Sequence, residues 1–153
     1  TTHVLRLIRE LLNFKPKAVK TDIGGTLDYF GKVAKKRAVV FLVSDFQSEG
    51  FEKAMRIVAK RHDLVAVPVA DPREVRLPNV GLLELEDAET GEMVLVDTSS
   101  AAVRKRYERL GRERSERFRE LFASMGVDRI EVMTDRDYVP RLVQFFRARE
   151  RRY

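Results

Sequence analysis

The feature that most constrains the fold is an unbroken run of six apolar residues, Ala38 to Val43, which Ser44 and Asp45 end. A run rich in Val, Leu and Phe is typical of a strand buried on both faces, as in a parallel sheet covered by helices. In open α/β sheets, ligands bind outside the carboxyl ends of the strands. The sequence therefore places Asp45 where a metal ion or a substrate would be expected.

The rest of the chain alternates helical and extended patterns. Apolar residues recur at helical spacing over 3–14, 23–34, 50–61 and 99–125, and again at Val139, Leu142, Val143 and Phe146. Further strands are predicted over 64–69 and 129–133, and a β-hairpin over 81–97 that turns at Ala88-Glu89-Thr90-Gly91. Together these patterns predict an α/β fold with a mainly parallel sheet, helices on both faces and a β-hairpin insertion.

Several element ends and faces can be predicted as well. Thr21 or Asp22 is expected to cap the helix over 23–34. The long helix is expected to begin at Ser99-Ser100, to turn Leu110 inward and to end at Gly126. The basic tail from Arg147 to Tyr153 is expected to fray.

Composition excludes several classes of protein. A single domain of 153 residues can bury a core. The absence of Cys, with only two His far apart in sequence, excludes disulfides, thiol catalysis and Cys- or His-rich metal sites. No apolar run approaches the roughly 20 residues of a membrane span, and no signal peptide is visible, so a cytoplasmic location is expected. The net charge of +6 makes nucleic-acid binding a hypothesis to consider. However, 24 acidic residues are interspersed among the 30 basic ones, and such mixed charge is typical of a solvated surface.

Oxygen-bearing side chains lie at predicted strand ends and helix starts: Thr21, Asp22, Ser44, Asp45 and Asp71. Such oxygens are the ligands that Mg²⁺ prefers. One hypothesis is therefore a Mg²⁺-dependent phosphate-handling enzyme that uses Asp45 with Asp22 or Asp71. The alternative is structural: Thr21 and Asp22 cap a helix, Asp45 caps the helix over 50–61, and Asp71 forms a turn with the proline after it.

A series of segments, taken in order, resembles a known family. The segments are His3-Val4-Leu5-Arg6, Lys20-Thr21-Asp22-Ile23, Val40-Phe41-Leu42-Val43-Ser44-Asp45-Phe46, His62-Asp63-Leu64-Val65-Ala66-Val67, Asp71-Pro72-Arg73-Glu74, Leu77-Pro78, Asp87-Ala88-Glu89-Thr90-Gly91, Val96-Asp97-Thr98 and Phe145-Phe146-Arg147-Ala148-Arg149. The series is similar to the C-terminal part of the bacterial and archaeal family known as domain of unknown function fifty-eight, which has a von Willebrand factor A-like domain.

The resemblance implies a Rossmann-like, three-layer domain with a metal-ion-dependent adhesion site at the strand ends. Thr21 resembles the loop threonine of that site, and Asp45 resembles its strand-end aspartate. The Asp-x-Ser-x-Ser segment of the family has no counterpart here. By this resemblance, residues 1–153 form a single truncated domain lacking its first strands, with an incomplete metal site. Mg²⁺ would be the cofactor of an intact family member, and this chain is not expected to bind it.

The resemblance also implies a protein-interaction module, not an enzyme, which works beside a MoxR-type AAA+ ATPase. The strand over 38–43 would lie next to the missing first strand, so one of its edges would be open. An open hydrophobic edge recruits another chain. We therefore expect a homodimer or a higher oligomer that forms through this edge, and a first helix with less sheet to cover. A nucleic-acid-binding domain is the remaining hypothesis, and it predicts steeply salt-dependent affinity.

Overall fold

The computed structural model describes residues 2–15, 21–86 and 91–151. The helices are α1 (Thr2–Asn13), α2 (Ile23–Val33), α3 (Glu52–Arg61), α4 (Pro72–Val75), α5 (Ala101–Ser124) and α6 (Val139–Glu150). The strands are β1 (Val39–Ser44), β2 (Asp63–Ala70), β3 (Leu82–Glu86), β4 (Met93–Asp97), β5 (Asp128–Arg129) and β6 (Val132–Met133). Every predicted helix is present. No helix within these three ranges is long and apolar enough to cross a membrane.

The main sheet is parallel, as predicted, and β2 lies at its centre. All six residues of β1 pair with one side of β2, and β5 and β6 pair with the other side of β2. The prediction of one continuous strand over 129–133 is wrong, because the chain pairs with β2 in two short pieces. Between them, Ile130 turns its side chain into the core while its N–H still donates to the carbonyl of Ala66 at 2.9 Å.

Helices cover both faces of this sheet and create two cores. The first core joins α2, α3 and α5 to one face and contains Ile23, Leu27, Phe46, Phe51, Ala54, Met55, Val58, Leu64, Ala66, Phe122 and Val127. The second core joins α6 to the other face through Val65, Val67, Ile130, Leu142 and Phe145. Because successive residues of β2 enter opposite cores, β2 is the strand buried on both faces. The arrangement is consistent with a partial three-layer α/β domain.

β1 does not have both faces buried, which corrects the prediction from its apolar run. Alternate residues enter the first core, but Val39, Phe41 and Val43 are 56%, 43% and 62% exposed. Among the described residues, β2 is the strand that pairs with β1. On this outer face α6 packs mainly over β2 and reaches β1 where the ring of Phe146 lies 6.1 Å from that of Phe41. The side chains are exposed because no described layer covers the rest of this face.

The caps predicted for α2 and for both ends of α5 are confirmed. The Asp22 carboxylate accepts the N–H of the third residue of α2 at 2.7 Å. The Ser100 hydroxyl accepts the N–H of Val103 at the start of α5. At the end of α5, Gly126 adopts φ +66°, and the N–H of Val127 donates back to the helix at 2.9 Å. This is a C-terminal helix cap, in which a left-handed glycine allows a following N–H to bond a carbonyl that the last turn leaves unpaired.

One predicted inward residue of α5 faces outward. Leu110 is 50% exposed, whereas its neighbour Gly111 is buried. A Cβ placed on Gly111 would lie 3.2 Å from the Cα of Val75, so α5 crosses the backbone of α4 at the glycine. Successive helical residues point about 100° apart. Leu110 is therefore directed away from the contact.

The apolar stripe predicted on α6 is also displaced. Val139, Val143 and Phe146 are exposed, although they were expected to be buried. Leu142 and Phe145 face the sheet instead. The helix is rotated so that part of its apolar surface lies beside the outer face of β1.

The prediction that the tail frays from Arg147 is wrong as far as Glu150, where α6 ends. The guanidinium of Arg149 bonds Asp63 at the start of β2 and lies 3.2 Å from a carboxylate oxygen of Asp128 in β5. This ion pair holds the last turn of α6 against two strand starts. Residues 152 and 153 lie outside the described ranges.

The predicted hairpin is confirmed as the antiparallel pair β3 and β4. Its turn at 88–90 lies outside the described residues. The buried Thr98 anchors the base of the hairpin: its hydroxyl donates to the carbonyl of Gly81 at 2.6 Å and accepts the N–H of Val80 at 3.0 Å. The guanidinium of Arg104 then bonds the Thr98 carbonyl at 2.6 Å, which ties the hairpin to the start of α5.

Candidate functional site

A cavity of about 160 Å³ opens where β1, β2 and β6 end, between the sheet and helices α4 and α5. Its apolar lining consists of Pro68, Val69, Ala70, Val75, Gly111, Phe118, Val132 and Met133. Its polar lining consists of Asp45, Glu74, Arg114, Ser115 and Glu131. The carboxyl edge of a parallel sheet is the usual ligand position in open α/β folds. This edge is therefore the candidate site.

Asp45 directly follows β1 and lies exposed at this edge. One of its carboxylate oxygens accepts the N–H of Gln47 at 3.1 Å and lies 3.4 Å from the hydroxyl of Ser44. The interpretation that Asp45 caps the next helix is wrong. α3 begins at Glu52, and the residue at its N-cap, Phe51, makes no side-chain capping bond.

Phe46 determines the path of the chain after Asp45. It is the one non-glycine residue with positive φ in the described ranges, at +57°, and its ring is fully buried. The left-handed conformation costs an L-residue roughly 1–2 kcal/mol. The ring offsets that cost by packing 5.6 Å from Phe51 and 5.0 Å from Phe122, measured between ring centroids. Strained residues concentrate at functional sites, and Phe46 directly follows Asp45, the predicted metal ligand.

Thr21 is exposed and directly precedes Asp22, the N-cap residue of α2. The first turn of α2 packs against the start of α3, where a Cβ on Gly24 would lie 3.7 Å from the Cα of Phe51. The chain reaches Phe51 five residues after Phe46. The two residues predicted as metal ligands thus lie in two segments, before α2 and after β1, that both lead to the contact between the starts of α2 and α3.

The described residues do not complete a magnesium site. In the ranges 2–15, 21–86 and 91–151, no three His, Asp or Glu side chains come together as a metal-binding group. Asp22 and Asp71 are occupied as helix caps. Ser48, in the loop after Asp45, has a buried hydroxyl with no hydrogen-bond partner in the described residues. Thr21 and Asp45 would therefore need further oxygen ligands.

Asp71 serves as a structural carboxylate at the end of β2. The hydroxyl of Thr134 donates to one of its oxygens at 2.6 Å, and the N–H of Arg73 donates to the other at 2.8 Å. These two hydrogen bonds hold the pKa of Asp71 below its ordinary value of 3.8, and the bond from Thr134 has the larger effect. The turn predicted at Asp71 is confirmed, and the carboxylate also links the ends of β2 and β6.

Sequence reasoning missed Glu74, Arg114 and Glu131, which come from three different elements to line the cavity. Glu131 is paired with Arg129 at 3.1 Å and with Arg141 at 3.8 Å. All of these residues lie in charge-rich segments, where no local pattern separates a cavity charge from a solvated one. They are identified only by the tertiary packing of α4, α5 and the connection between β5 and β6 around one cavity.

Comparison with known families matches residues 1–117 to the family described as "Protein of unknown function DUF58". The chain belongs to this family. The DUF58 match contains Thr21 and Asp45 and ends within α5, so β5, β6 and α6 lie beyond it. The family predicted from the ordered segments is therefore confirmed.

Relatives of this DUF58 chain occur in mycobacteria. A Mycobacterium avium protein is 28% identical over 137 residues, which are 89% of this chain and 80% of the relative. Proteins of Mycobacterium bovis and Mycobacterium tuberculosis are 29% identical over 137 residues, which are 43% of their length. Each is described as an uncharacterized protein. This chain thus spans less than half of the latter two proteins, and no solved structure matches it significantly.

Proposed function

We propose that this chain is a protein-interaction module, not an enzyme, and that β1 receives another polypeptide along its open edge. The observation that carries the proposal is the exposure of Val39, Phe41 and Val43 on one face of β1, a strand whose residues 39–43 are all apolar. Chains add to such edges through backbone hydrogen bonds, while alternate side chains fill pockets.

The backbone of β1 supports this assignment. The carbonyl of Ala38 accepts the N–H of Asp63 at 2.9 Å, so Ala38 directs its polar groups toward β2. Polar groups of successive residues in a strand point to opposite sides. Those of Val39, Phe41 and Val43 consequently point toward the open edge, where they are available to a further strand.

The apolar surface beside this edge extends beyond β1. We define the β1 face as the side chains of Val39, Phe41, Val43, Val143 and Phe146, all exposed. Phe146 of α6 continues the surface from Phe41 of β1. The exposed apolar side of α1, formed by Val4, Leu5, Ile8, Leu11 and Leu12, offers a second surface. Contiguous exposed apolar surface of this kind is typical of interaction sites.

The proposed occupant is polypeptide, and a second copy of this chain is the partner that can be tested directly. The family resemblance further suggests a MoxR-type AAA+ ATPase as the physiological partner. It also suggests that Thr21 and Asp45 form part of an adhesion site, in which Mg²⁺ bridges to a partner's carboxylate. Further oxygen ligands from outside the described residues would be needed for that bridge.

Charge on the β1 face tests the proposal. We expect the chain to sediment as a dimer or larger species at micromolar concentration, and the double variant Val39→Lys/Val43→Lys to shift it to monomer. Each desolvated lysine should weaken association by at least about tenfold, or roughly 1.4 kcal/mol. The variant Ile57→Lys places the same charge on an exposed apolar residue of α3 and should leave association unchanged. A compact monomeric wild type would contradict self-association.

Magnesium titration separates this function from the enzymatic hypothesis. We expect no saturable shift of the Thr21 and Asp45 amide signals when Mg²⁺ is added to the chain alone. If Mg²⁺-dependent hydrolysis of a phosphate ester were detected, and Asp45→Ala abolished it while Asp28→Asn did not, the enzymatic hypothesis would replace the present one. Asp28 is an exposed carboxylate on α2 and serves as the matched control.

A further inference from the structure

At the amino end of β2 lies a buried histidine whose ring nitrogens have no hydrogen-bond partner among the described residues. His62 is only 4% exposed, and neither Nδ1 nor Nε2 bonds any described residue. A buried polar group without a partner costs roughly 1–3 kcal/mol. Such groups are rare in folded proteins and indicate a missing partner.

The backbone and the ring of His62 make different kinds of contact with the described residues. Its backbone ends α3, with the N–H donating to the carbonyl of Val58 at 2.9 Å. Its ring meets the ring of Phe30 edge-on at 5.0 Å between centroids. The ring is therefore fixed by apolar packing and by the helix end.

His62 lines a recess of about 290 Å³ between the last turns of α2 and α3. The other lining residues are Gly31, Ala34, Lys35, Arg37 and Arg61. Lys35, Arg37 and Arg61 are exposed, and none of them makes an ion pair with a described residue. The nearby Asp63 is already bonded to Arg149. The recess thus combines three uncompensated cations with one unsatisfied imidazole.

The charges decide which kind of ligand the recess can take. A metal cation would be repelled by three positive side chains, and no lining residue is acidic. The C-terminal ends of α2 and α3 contribute roughly half a negative charge each, which disfavours an anion. Three full positive charges outweigh that contribution. An anion that accepts hydrogen bonds is the ligand that fits.

We infer that this recess binds the phosphate group of a small soluble anion. The imidazole of His62 donates one ring N–H to a phosphate oxygen at the wall of the recess. Lys35, Arg37 and Arg61 neutralise the dianion at the mouth, where Arg can donate two parallel bonds. This site lies at the amino edge of the sheet, away from Asp45, and does not depend on the proposed interaction function.

The test is titration of the full chain with inorganic phosphate and, separately, with glycerol 3-phosphate, followed by the ring signals of His62 in NMR spectra. We expect saturable shifts of these signals. The double variant Lys35→Ala/Arg61→Ala should weaken binding by at least about tenfold, because two charge-assisted hydrogen bonds to the anion are lost. The variant His62→Phe, which keeps the packing against Phe30, should weaken binding to a similar extent, as followed by the Arg37 amide signal.

The matched control removes the same charge from another part of α3. Lys53→Ala/Arg56→Ala deletes two exposed cations outside the recess and should leave phosphate affinity unchanged. Equal weakening by the two double variants would mean non-specific attraction to a basic surface and would overturn the inference. Absence of saturable binding of either phosphate compound would overturn it too. Binding restricted to vesicles containing phosphatidic acid would also refute a site for a soluble ligand.

Discussion

Phe46 offers the sharpest test of the geometry around Asp45. The substitution Phe46→Ala removes a ring that is 1% exposed and contacts the rings of Phe51, Phe118 and Phe122. Truncating a core Phe to Ala costs about 3–5 kcal/mol. The left-handed backbone, with φ +57°, remains unfavourable for the alanine.

Phe46→Gly removes the same ring and also the conformational strain. Relief of the left-handed conformation gains about 1–2 kcal/mol relative to alanine. The greater freedom of glycine in the unfolded chain takes back about 0.4–1 kcal/mol. We therefore expect Phe46→Gly to be as stable as Phe46→Ala or up to about 1.6 kcal/mol more stable.

The control is the same pair of substitutions at Phe122, which is equally buried but lies within α5. There the alanine variant should be more stable than the glycine variant by about 1 kcal/mol, because glycine is unfavourable in a helix. Urea unfolding at low temperature, followed by circular dichroism, measures both pairs. If Phe46→Ala were more stable than Phe46→Gly by about 1 kcal/mol, as expected for the pair at Phe122, the left-handed conformation of Phe46 would be refuted.

Two further predictions concern residues that link elements. Thr134→Val should raise the pKa of Asp71 toward 3.8, as measured by NMR titration of its carboxyl carbon, because the strongest hydrogen bond to the carboxylate is lost. Since the folded-state pKa is lowered, the bond stabilises the fold above pH 3.8, and that advantage over the variant should fade as pH falls through the folded pKa. Gly126→Ala should lower the free energy of unfolding by roughly 1 kcal/mol in urea unfolding, because φ is +66°.

Each of these predictions can fail clearly. An unchanged pKa of Asp71 in Thr134→Val would mean that the two side chains are not bonded in solution. Full stability of Gly126→Ala would show that α5 does not end with a left-handed residue. Asp97, whose pKa is lowered by its bonds with Ser99, provides an internal reference for the titration, because Thr134→Val should not alter it.

The sequence predicts the elements of this fold well where local signals are strong. Asp22, Ser100 and Gly126 carry capping chemistry that depends on neighbouring backbone alone, and all three act as expected. The family, too, can be identified from ordered segments. Which face of β1 is buried cannot be predicted in this way, because an apolar run has no alternation to distinguish the covered side from the open one.

The candidate site is less predictable for a related reason. Asp45 and Thr21 can be proposed because strand ends and helix starts are local features. Glu74 lies beside the crossing of α5 over α4, which the buried Gly111 permits, and Glu131 reaches the same cavity from the connection between β5 and β6. His62 ends α3, and its ring packs against Phe30, which lies 32 residues earlier in the chain. These facts belong to tertiary structure.

Hydrogen exchange at the edge of β1 tests the central claim most directly. In the associated protein, the amides of Val39, Phe41 and Val43 should be protected about as strongly as those of Val40 and Leu42, which face β2. When the protein is diluted to monomer, the amides of Val39, Phe41 and Val43 should lose their protection, whereas those of Val40 and Leu42 should keep it. If the amides of Val39, Phe41 and Val43 exchanged freely at concentrations where the chain is associated, no polypeptide would pair with this edge, and the proposed interaction function would be contradicted.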